Sequence, residues 1–334
     1  MFLRLWRKII LVKNTILVVF FNRQIPLVAT WVTTYLCPLK CPMCYQIRKK
    51  SEDLSTEDSK NMIWALQQAG VYFLHLTGGE PLVRKDIIEI IKYAKKDLGM
   101  HVSLNTSCTD PHNQIYDVAK ELDTLIISFD GMEENHDKNR GKGSFKKNIE
   151  VIKEIRKRGL KVNVTTNMCY GDHNKDDVPK LTALAKELNV KIKIYPIYAE
   201  AGLAKEKDYL LVPKKSTITE VATFLHNQKK ENKYIMMSDG VLDFFRLEKM
   251  HKRYSCEYFQ LRITPAGGIK RCSLMSNDDA IYLNHKNRET FLAQIRKMPK
   301  FMCSKPMICC TEISNVLNFN FKSTFETLKK FTQK

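Results

Sequence analysis

At 334 residues, 44% of them apolar and with only 13 glycines and 11 prolines, the chain is too hydrophobic and too little broken to be disordered or of low complexity. It is long enough for one large domain and a smaller one. Its formal charge of +19 favours an anionic partner, whether a membrane surface, a nucleic acid or a phosphorylated substrate; a lysine-rich solvated surface accounts for the same number.

The first 25 residues interleave apolar side chains, from Phe2, Leu3, Leu5 and Trp6 through to Phe20 and Phe21, with Arg4, Arg7, Lys8, Lys13 and Arg23. The uninterrupted run from Thr15 to Phe21 is far short of the ~20 residues a spanning helix needs. Nor does a short apolar core followed by a small-residue cleavage site mark a secretory signal. Two readings remain: an interfacial helix lying on anionic lipid, or a helix packed against the protein's own barrel. No acidic residue occurs before Glu52, so this end is basic throughout. The expected location is cytoplasmic, with peripheral contact at the inner face of a membrane as the finer expectation. Ten cysteines in such a chain read as reduced, and their clustering as metal ligation rather than disulfide bridging.

From Pro26 to about Ala199, short apolar runs alternate with helical patterns. Strands are expected at Leu27–Val32, Tyr72–Leu76, His101–Leu104, Thr124–Ser128, Lys161–Thr165 and Lys191–Tyr195. Helices are expected near residues 56–69, 84–97, 112–121, 144–158 and 177–188, the first capped by Ser55 and ended by Gly70. This alternation predicts parallel βαβ units, too few for an eight-fold barrel, and so an α/β fold of the partial (β/α)6 TIM-like type. Chemistry in such folds gathers at the C-terminal ends of the strands. Residues 200–250 read as connecting helices, and 251–334 as a smaller cysteine-rich domain.

Directly after the first strand comes Cys37-Pro-Leu-Lys-Cys41-Pro-Met-Cys44. Three thiolates this close can wrap one face of an iron–sulfur cube and leave one iron open; zinc is the competing metal, but it would want a fourth ligand nearby. Thr77-Gly78-Gly79-Glu80-Pro81 follows the second strand, where glycines permit close backbone approach and a carboxylate can meet an ammonium group. Asn105-Thr106-Ser107 ends the third strand, Ser128-Phe129-Asp130-Gly131 the fourth, Asn167 the fifth and Tyr195-Pro196 the sixth. His136-Asp137-Lys138-Asn139-Arg140-Gly141 lies just beyond the fourth.

In these motifs, over about Pro26 to Ala199, the chain resembles the radical S-adenosylmethionine (SAM) family. The resemblance implies a [4Fe–4S] cluster on Cys37, Cys41 and Cys44, with SAM held on the open iron. It further implies SAM contacts from Gly78, Gly79, Glu80, Asn105, Ser107, Ser128, Asp130 and Asn167, with Arg140 pairing to the SAM carboxylate. The chemistry implied is reductive cleavage of SAM to a 5′-deoxyadenosyl radical that abstracts hydrogen from a substrate. An electron donor such as ferredoxin or flavodoxin is implied with it. The chain departs from the family at Met43, where an aromatic residue is common; Tyr45 falls one position late.

Cys256, ten residues, Gly267, four residues and Cys272 resemble the opening of SPASM and twitch domains. A hairpin with a Gly267-Gly268 turn would bring the two cysteines together. Cys303, Cys309 and Cys310 offer further ligands, and the count suits one auxiliary [4Fe–4S] cluster; buried structural cysteines are the plain alternative. Cys108 and Cys169 read as small core residues, and His75 as a packed strand residue, with His136 placed nearer SAM. The resemblance implies peptide, protein or cofactor maturation. A membrane lipid or isoprenoid substrate, RNA modification and a non-catalytic iron–sulfur protein are the alternatives. Against RNA, the sequence shows no nucleic-acid-binding module.

Overall fold

The computed structural model describes residues 2–21, 23, 25–44, 50, 52–197, 211–247, 260–270, 281, 282 and 286–297. The expected alternation is present. Strands run Val28–Val32 (β1), Phe73–Thr77 (β2), His101–Thr106 (β3), Thr124–Ser128 (β4), Asn163–Tyr170 (β5) and Lys191–Pro196 (β6). Between and before them lie helices Phe2–Phe21 (α1), Thr56–Ala69 (α2), Ile87–Lys92 (α3), Ile115–Glu121 (α4), Glu133–Arg140 (α5), Ser144–Lys157 (α6) and Val178–Glu187 (α7). Lys215–Gln228 (α8) and Asp239–Leu247 (α9) follow, then strands Gln260–Ile263 (β7), Gly268–Lys270 (β8) and Ile281–Tyr282 (β9), and helix Arg288–Arg296 (α10). The strand order is β6-β5-β4-β3-β2-β1-β7-β8-β9, that of a partial (β/α)6 TIM-like barrel with three added strands. The chain divides into two compact units, with the boundary inside β4.

The first unit holds α1 to α4, β1 to β3, and β7 to α10. β1 pairs in parallel with β2 on one side and β7 on the other, which places it in the sheet interior and explains its nearly unbroken burial. Ala29, Trp31, Leu74, Leu76, Val102 and Leu104 are fully buried against Met62, Ile63, Ile87, Ile90 and Ile91 from the helices. α2 is capped as its sequence predicts: the Ser55 side chain accepts from the Asp58 amide, and Gly70 ends the helix at φ +120°. The Gly267-Gly268 hairpin also forms, with Gly267 at φ +80° and β8 antiparallel to β7. β7 lies inside the 251–334 segment yet pairs with β1, because it carries two buried apolar residues, Leu261 and Ile263, in strand alternation. α10 packs on α2, where the Arg288 guanidinium lies 4.6 Å over the Trp64 ring.

α1 settles one of the two sequence readings in part. Its one face lies on the loops that enter β2 and β3. The Arg7 Nε donates to the Leu98 carbonyl at 3.1 Å, and Val18 is buried. A Cβ on Gly99 would meet Leu3 and Arg7, and one on Gly70 would meet Asn14. Its other face is exposed. No described helix is long and apolar enough to cross a membrane.

The second unit contains α5 to α9, β5 and β6. Its core joins Met168, Tyr170, Ile192 and Ile194 from the strands to Val151, Ile152 and Ile155 of α6. α5, eight residues of sequence Glu-Glu-Asn-His-Asp-Lys-Asn-Arg, has no apolar stripe to betray it. Acidic residues in its first turn and Lys138 and Arg140 in its last suit the helix dipole. Asp137 then accepts from the Gly143 and Phe145 amides and the Ser144 hydroxyl, which starts α6.

Candidate active site

In the first unit the strand ends are tied together by Glu80. This carboxylate is completely buried and accepts four hydrogen bonds: from the Leu82 amide (3.2 Å), the Thr106 hydroxyl (2.8 Å), the Ser107 amide (2.8 Å) and the Ser107 hydroxyl (2.6 Å). Burial pushes its pKa up while the Ser107, Thr106 and Leu82 donors oppose the shift, and the balance is upward. Sequence reasoning placed Glu80 on the SAM ammonium; here its oxygens are committed to its own chain, so it fixes the ends of β2 and β3. Thr106, read in the sequence as part of the motif but not as a contact, shares this work: its hydroxyl also accepts from the Cys108 amide, turning the chain so that Cys108 sits at φ +62°, fully buried.

Gly78 and Gly79 are needed for close approach, but the approaching group is the chain itself. A Cβ on Gly78 would lie 2.6 Å from the Thr34 carbonyl oxygen, and one on Gly79 2.2 Å from that of Leu36. The Gly79 amide donates to Thr34 (2.8 Å) and the Glu80 amide to Leu36 (2.9 Å). The loop leading from β1 to Cys37 is thereby laid along the Gly-Gly-Glu turn. Arg84, four residues beyond Glu80 and also missed, fixes the same loop from behind. It donates to the Thr33 and Leu54 carbonyls, pairs with Asp86 and lies 5.5 Å over the Trp31 ring. Asn105, on β3, has a buried Oδ1 with no hydrogen-bond partner.

In the second unit, Asp130 follows the end of β4 and is buried. Its carboxylate pairs with Arg140, Nε to Oδ2 at 2.5 Å and Nη2 to Oδ1 at 3.3 Å. Burial works against the Arg140 charge, but Asp130 outweighs it, and the pKa moves up. Two of the Arg140 donors, Nε and Nη2, are thus engaged by a carboxylate of its own chain. The Ser128 carbonyl accepts from Asn148, and the Asn167 carbonyl from the Phe129 amide, while the Asn167 Oδ1 is buried and unpartnered. Asn174, with no signal in the sequence, clamps this end by donating to the carbonyls of Asp130 and Cys169. Cys169 is half-buried; burial, with Asp130 second, pushes its thiol up to about 12.

His136 was placed nearer SAM by its sequence position. It is fully buried between Phe129 and Phe145, ring centroids 5.5 and 5.8 Å away, and accepts the Asp130 amide on Nδ1 at 3.1 Å. It is a positioning residue for Asp130. Burial first, then the Arg140 charge, push it down to about 4, with Asp130 and Asp137 opposing. Below about pH 6.5 an unfolded chain protonates this ring and the folded one does not. Stability is therefore expected to fall by about 3 kcal/mol as pH drops from above 6.5 to 4. Denaturant titrations checked against His136→Gln should show that extra slope in the wild type alone; equal slopes would contradict the burial argument.

Cys37 is half-exposed, Cys41 buried and Cys44 half-buried, and the Cys44 amide donates to the Cys41 carbonyl at 3.0 Å. Among the described residues no three His, Cys, Asp or Glu side chains converge as ligands of a single metal ion. His75 on β2 is paired across the sheet with Ser103 on β3, Nδ1 to hydroxyl at 3.0 Å, as a packed strand residue should be. Cys256, Cys272, Cys303, Cys309 and Cys310 lie outside the described residues.

Residues 31–185 match the radical SAM superfamily. That segment holds every one of the strand-end motifs from Cys37 to Asn167. The chain is similar to PqqA peptide cyclase of Bradyrhizobium diazoefficiens, 27% identical over 74% of this chain and 67% of that protein. Fe-coproporphyrin III synthase of Methanosarcina barkeri is also 27% identical, over 84% of this chain and 73% of that one. In fold it is similar to SuiB of Streptococcus suis bound to S-adenosylmethionine (TM-score 0.65, 14% identity, 82% of this chain and 68% of that chain). SuiB is also known in complex with the precursor peptide SuiA. The protein is an enzyme, and the cofactors of the family that residues 31–185 match are a [4Fe–4S] cluster and SAM. The residues present fit them. Three thiols on one short loop are soft ligands suited to iron. The buried, unpartnered Asn105 and Asn167 oxygens are acceptors awaiting donors, and SAM carries an ammonium and ribose hydroxyls.

Proposed function

We propose that Cys37, Cys41 and Cys44 hold the [4Fe–4S] cluster with one iron left for SAM, and that the enzyme matures a peptide or protein. The observation that supports it most directly is the seating of the Thr34–Leu36 backbone on Gly79 and Glu80, which joins the cysteine loop to the Gly-Gly-Glu turn. Bound there, the cluster and SAM supply one-electron cleavage of the sulfonium carbon–sulfur bond and a strong hydrogen-atom acceptor.

The chain's own residues bind and orient. Backbone groups of Gly78 and Gly79, the side chains of Asn105 and Asn167, and Ser107 and Ser128 at the strand ends are the contacts for SAM. Asp130 contacts the ribose, and Arg140, His136 and Asn174 hold Asp130 in place. Glu80 keeps Ser107 turned. Cys256, Cys272, Cys303 and one or both of Cys309 and Cys310 ligate an auxiliary [4Fe–4S] cluster. A ferredoxin or flavodoxin supplies the electron. A peptide substrate is supported by the names of relatives that cyclise one or bind one. A cofactor precursor is the second reading, supported by the longer match to Fe-coproporphyrin III synthase. Peripheral attachment to a membrane surface belongs to the same reading, carried by the exposed face of α1.

Anaerobic protein given SAM and dithionite is expected to release 5′-deoxyadenosine, and to hold about eight irons per chain when both clusters are rebuilt. No 5′-deoxyadenosine would remove the radical reading. About four irons would remove the auxiliary cluster alone.

A further inference from the structure

Among the described residues, every exposed large hydrophobic side chain but Leu36 lies on α1. Leu5 (59% exposed), Ile9 (54%), Val12 (59%), Ile16 (44%) and Phe20 (63%) recur at intervals of three and four residues, so they form one stripe about 22 Å long, with Trp6 (61%) beside it. Helical spacing sets Lys8 on one flank of this stripe and Lys13 on the other, both exposed. The opposite face, with Arg7, Asn14 and Val18, is the one that lies on the loops entering β2 and β3. α1 therefore has one face engaged by its own unit and one face left exposed.

We infer that the stripe docks on the surface of an anionic lipid bilayer, with α1 lying in the plane of the interface. This rests on the peripheral-attachment reading and names its partner; it does not depend on the radical chemistry. Three observations choose the occupant. Lysines on both edges of an apolar stripe match negatively charged headgroups on both sides of a helix sunk among them. A second copy of the chain is a poor match: stripe against stripe would bring Lys8 and Lys13 toward their own kind. The first 51 residues also contain no acidic side chain to neutralise them. Finally, α1 lies at the ends where β2 and β3 begin, whereas Glu80 and Ser107 lie where those strands finish, so this contact leaves that end of the unit uncovered.

The test is vesicle flotation of the full-length protein at low salt, with phosphatidylglycerol–phosphatidylcholine vesicles beside vesicles of phosphatidylcholine alone. Binding to the anionic vesicles is expected, together with a blue shift of Trp6 emission that is absent in Trp6→Phe. Ile9→Glu with Val12→Glu should abolish flotation, and because both positions are exposed the melting temperature should not change. Lys8→Gln with Lys13→Gln should weaken partitioning by about thirtyfold. No flotation with any vesicle overturns membrane attachment altogether. Equal flotation on neutral and anionic vesicles leaves attachment standing and overturns the anionic partner. A dimer in light scattering that Ile9→Glu with Val12→Glu dissociates, without vesicle binding by the wild type, assigns the stripe to a second copy and overturns the inference.

Discussion

Alanine at Cys37, Cys41 or Cys44 is expected to reduce 5′-deoxyadenosine formation to background, whereas alanine at Cys108 or Cys169 should leave most of it. The difference follows from where each sulfur sits. Cys37, Cys41 and Cys44 share one loop whose entry is fixed by backbone hydrogen bonds to Gly79 and Glu80 and by Arg84 on Thr33. A cube bound through three sulfurs loses a whole corner with any one of them, and the remaining two leave iron open to solvent and loss. Cys108 is fully buried after β3, and Cys169 lies on β5 with its thiol pushed up by burial, so neither belongs to the cysteine loop. Circular dichroism of each variant separates loss of cluster from loss of fold. Residual product in any of the three loop variants above that of a no-enzyme control would contradict the ligand assignment. Loss of product in Cys169→Ala with an intact cluster would move that residue into the chemistry.

Glu80→Leu is expected to cost about 3–5 kcal/mol of folding stability. Leucine fills the space but accepts nothing. The Thr106 and Ser107 hydroxyls can turn to other acceptors, while the Leu82 and Ser107 amides are left buried without one. Glu80→Gln keeps one acceptor oxygen and should lose about half as much. The pH dependence has a fixed sign. Because burial raises the folded-state pKa of Glu80, its contribution is complete below the ordinary glutamate range and declines as pH rises through the folded value. Glu80→Gln should remove that decline. The slope runs opposite to the one expected from His136, so the two variants can be told apart in the same titration. A Glu80→Leu protein as stable as wild type would mean that this carboxylate does not hold the ends of β2 and β3 together.

The barrel was legible because its strands are short apolar runs set at regular intervals between helices with clear caps. Ser55 and Gly70 bracket α2 as their chemistry requires, and the hairpin turn that Gly267 closes just before β8 could be read from the Gly-Gly pair. α5 was not legible, since eight polar residues carry no periodicity and its stability comes from end charges and its neighbours. Nor was the pairing of β7 with β1, a contact between residues more than 200 positions apart that no local pattern encodes. At the site, residue types were easier to read than partners. Glu80, Asp130 and Arg140 were found by motif, but a motif cannot say that two of them neutralise each other or that the third is filled by Ser107 and Thr106. Asn174 and Arg84 were missed because their work is done on backbone carbonyls, which every sequence has.

The account turns on an iron left open for SAM. Electron paramagnetic resonance of the anaerobic, dithionite-reduced protein measures this directly, on a variant in which Cys256 and Cys272 are alanine so that only the first cluster contributes. A [4Fe–4S]+ signal that changes shape when SAM is added is the predicted result. A signal indifferent to SAM, or none at all in protein whose Cys37, Cys41 and Cys44 are intact, would contradict it.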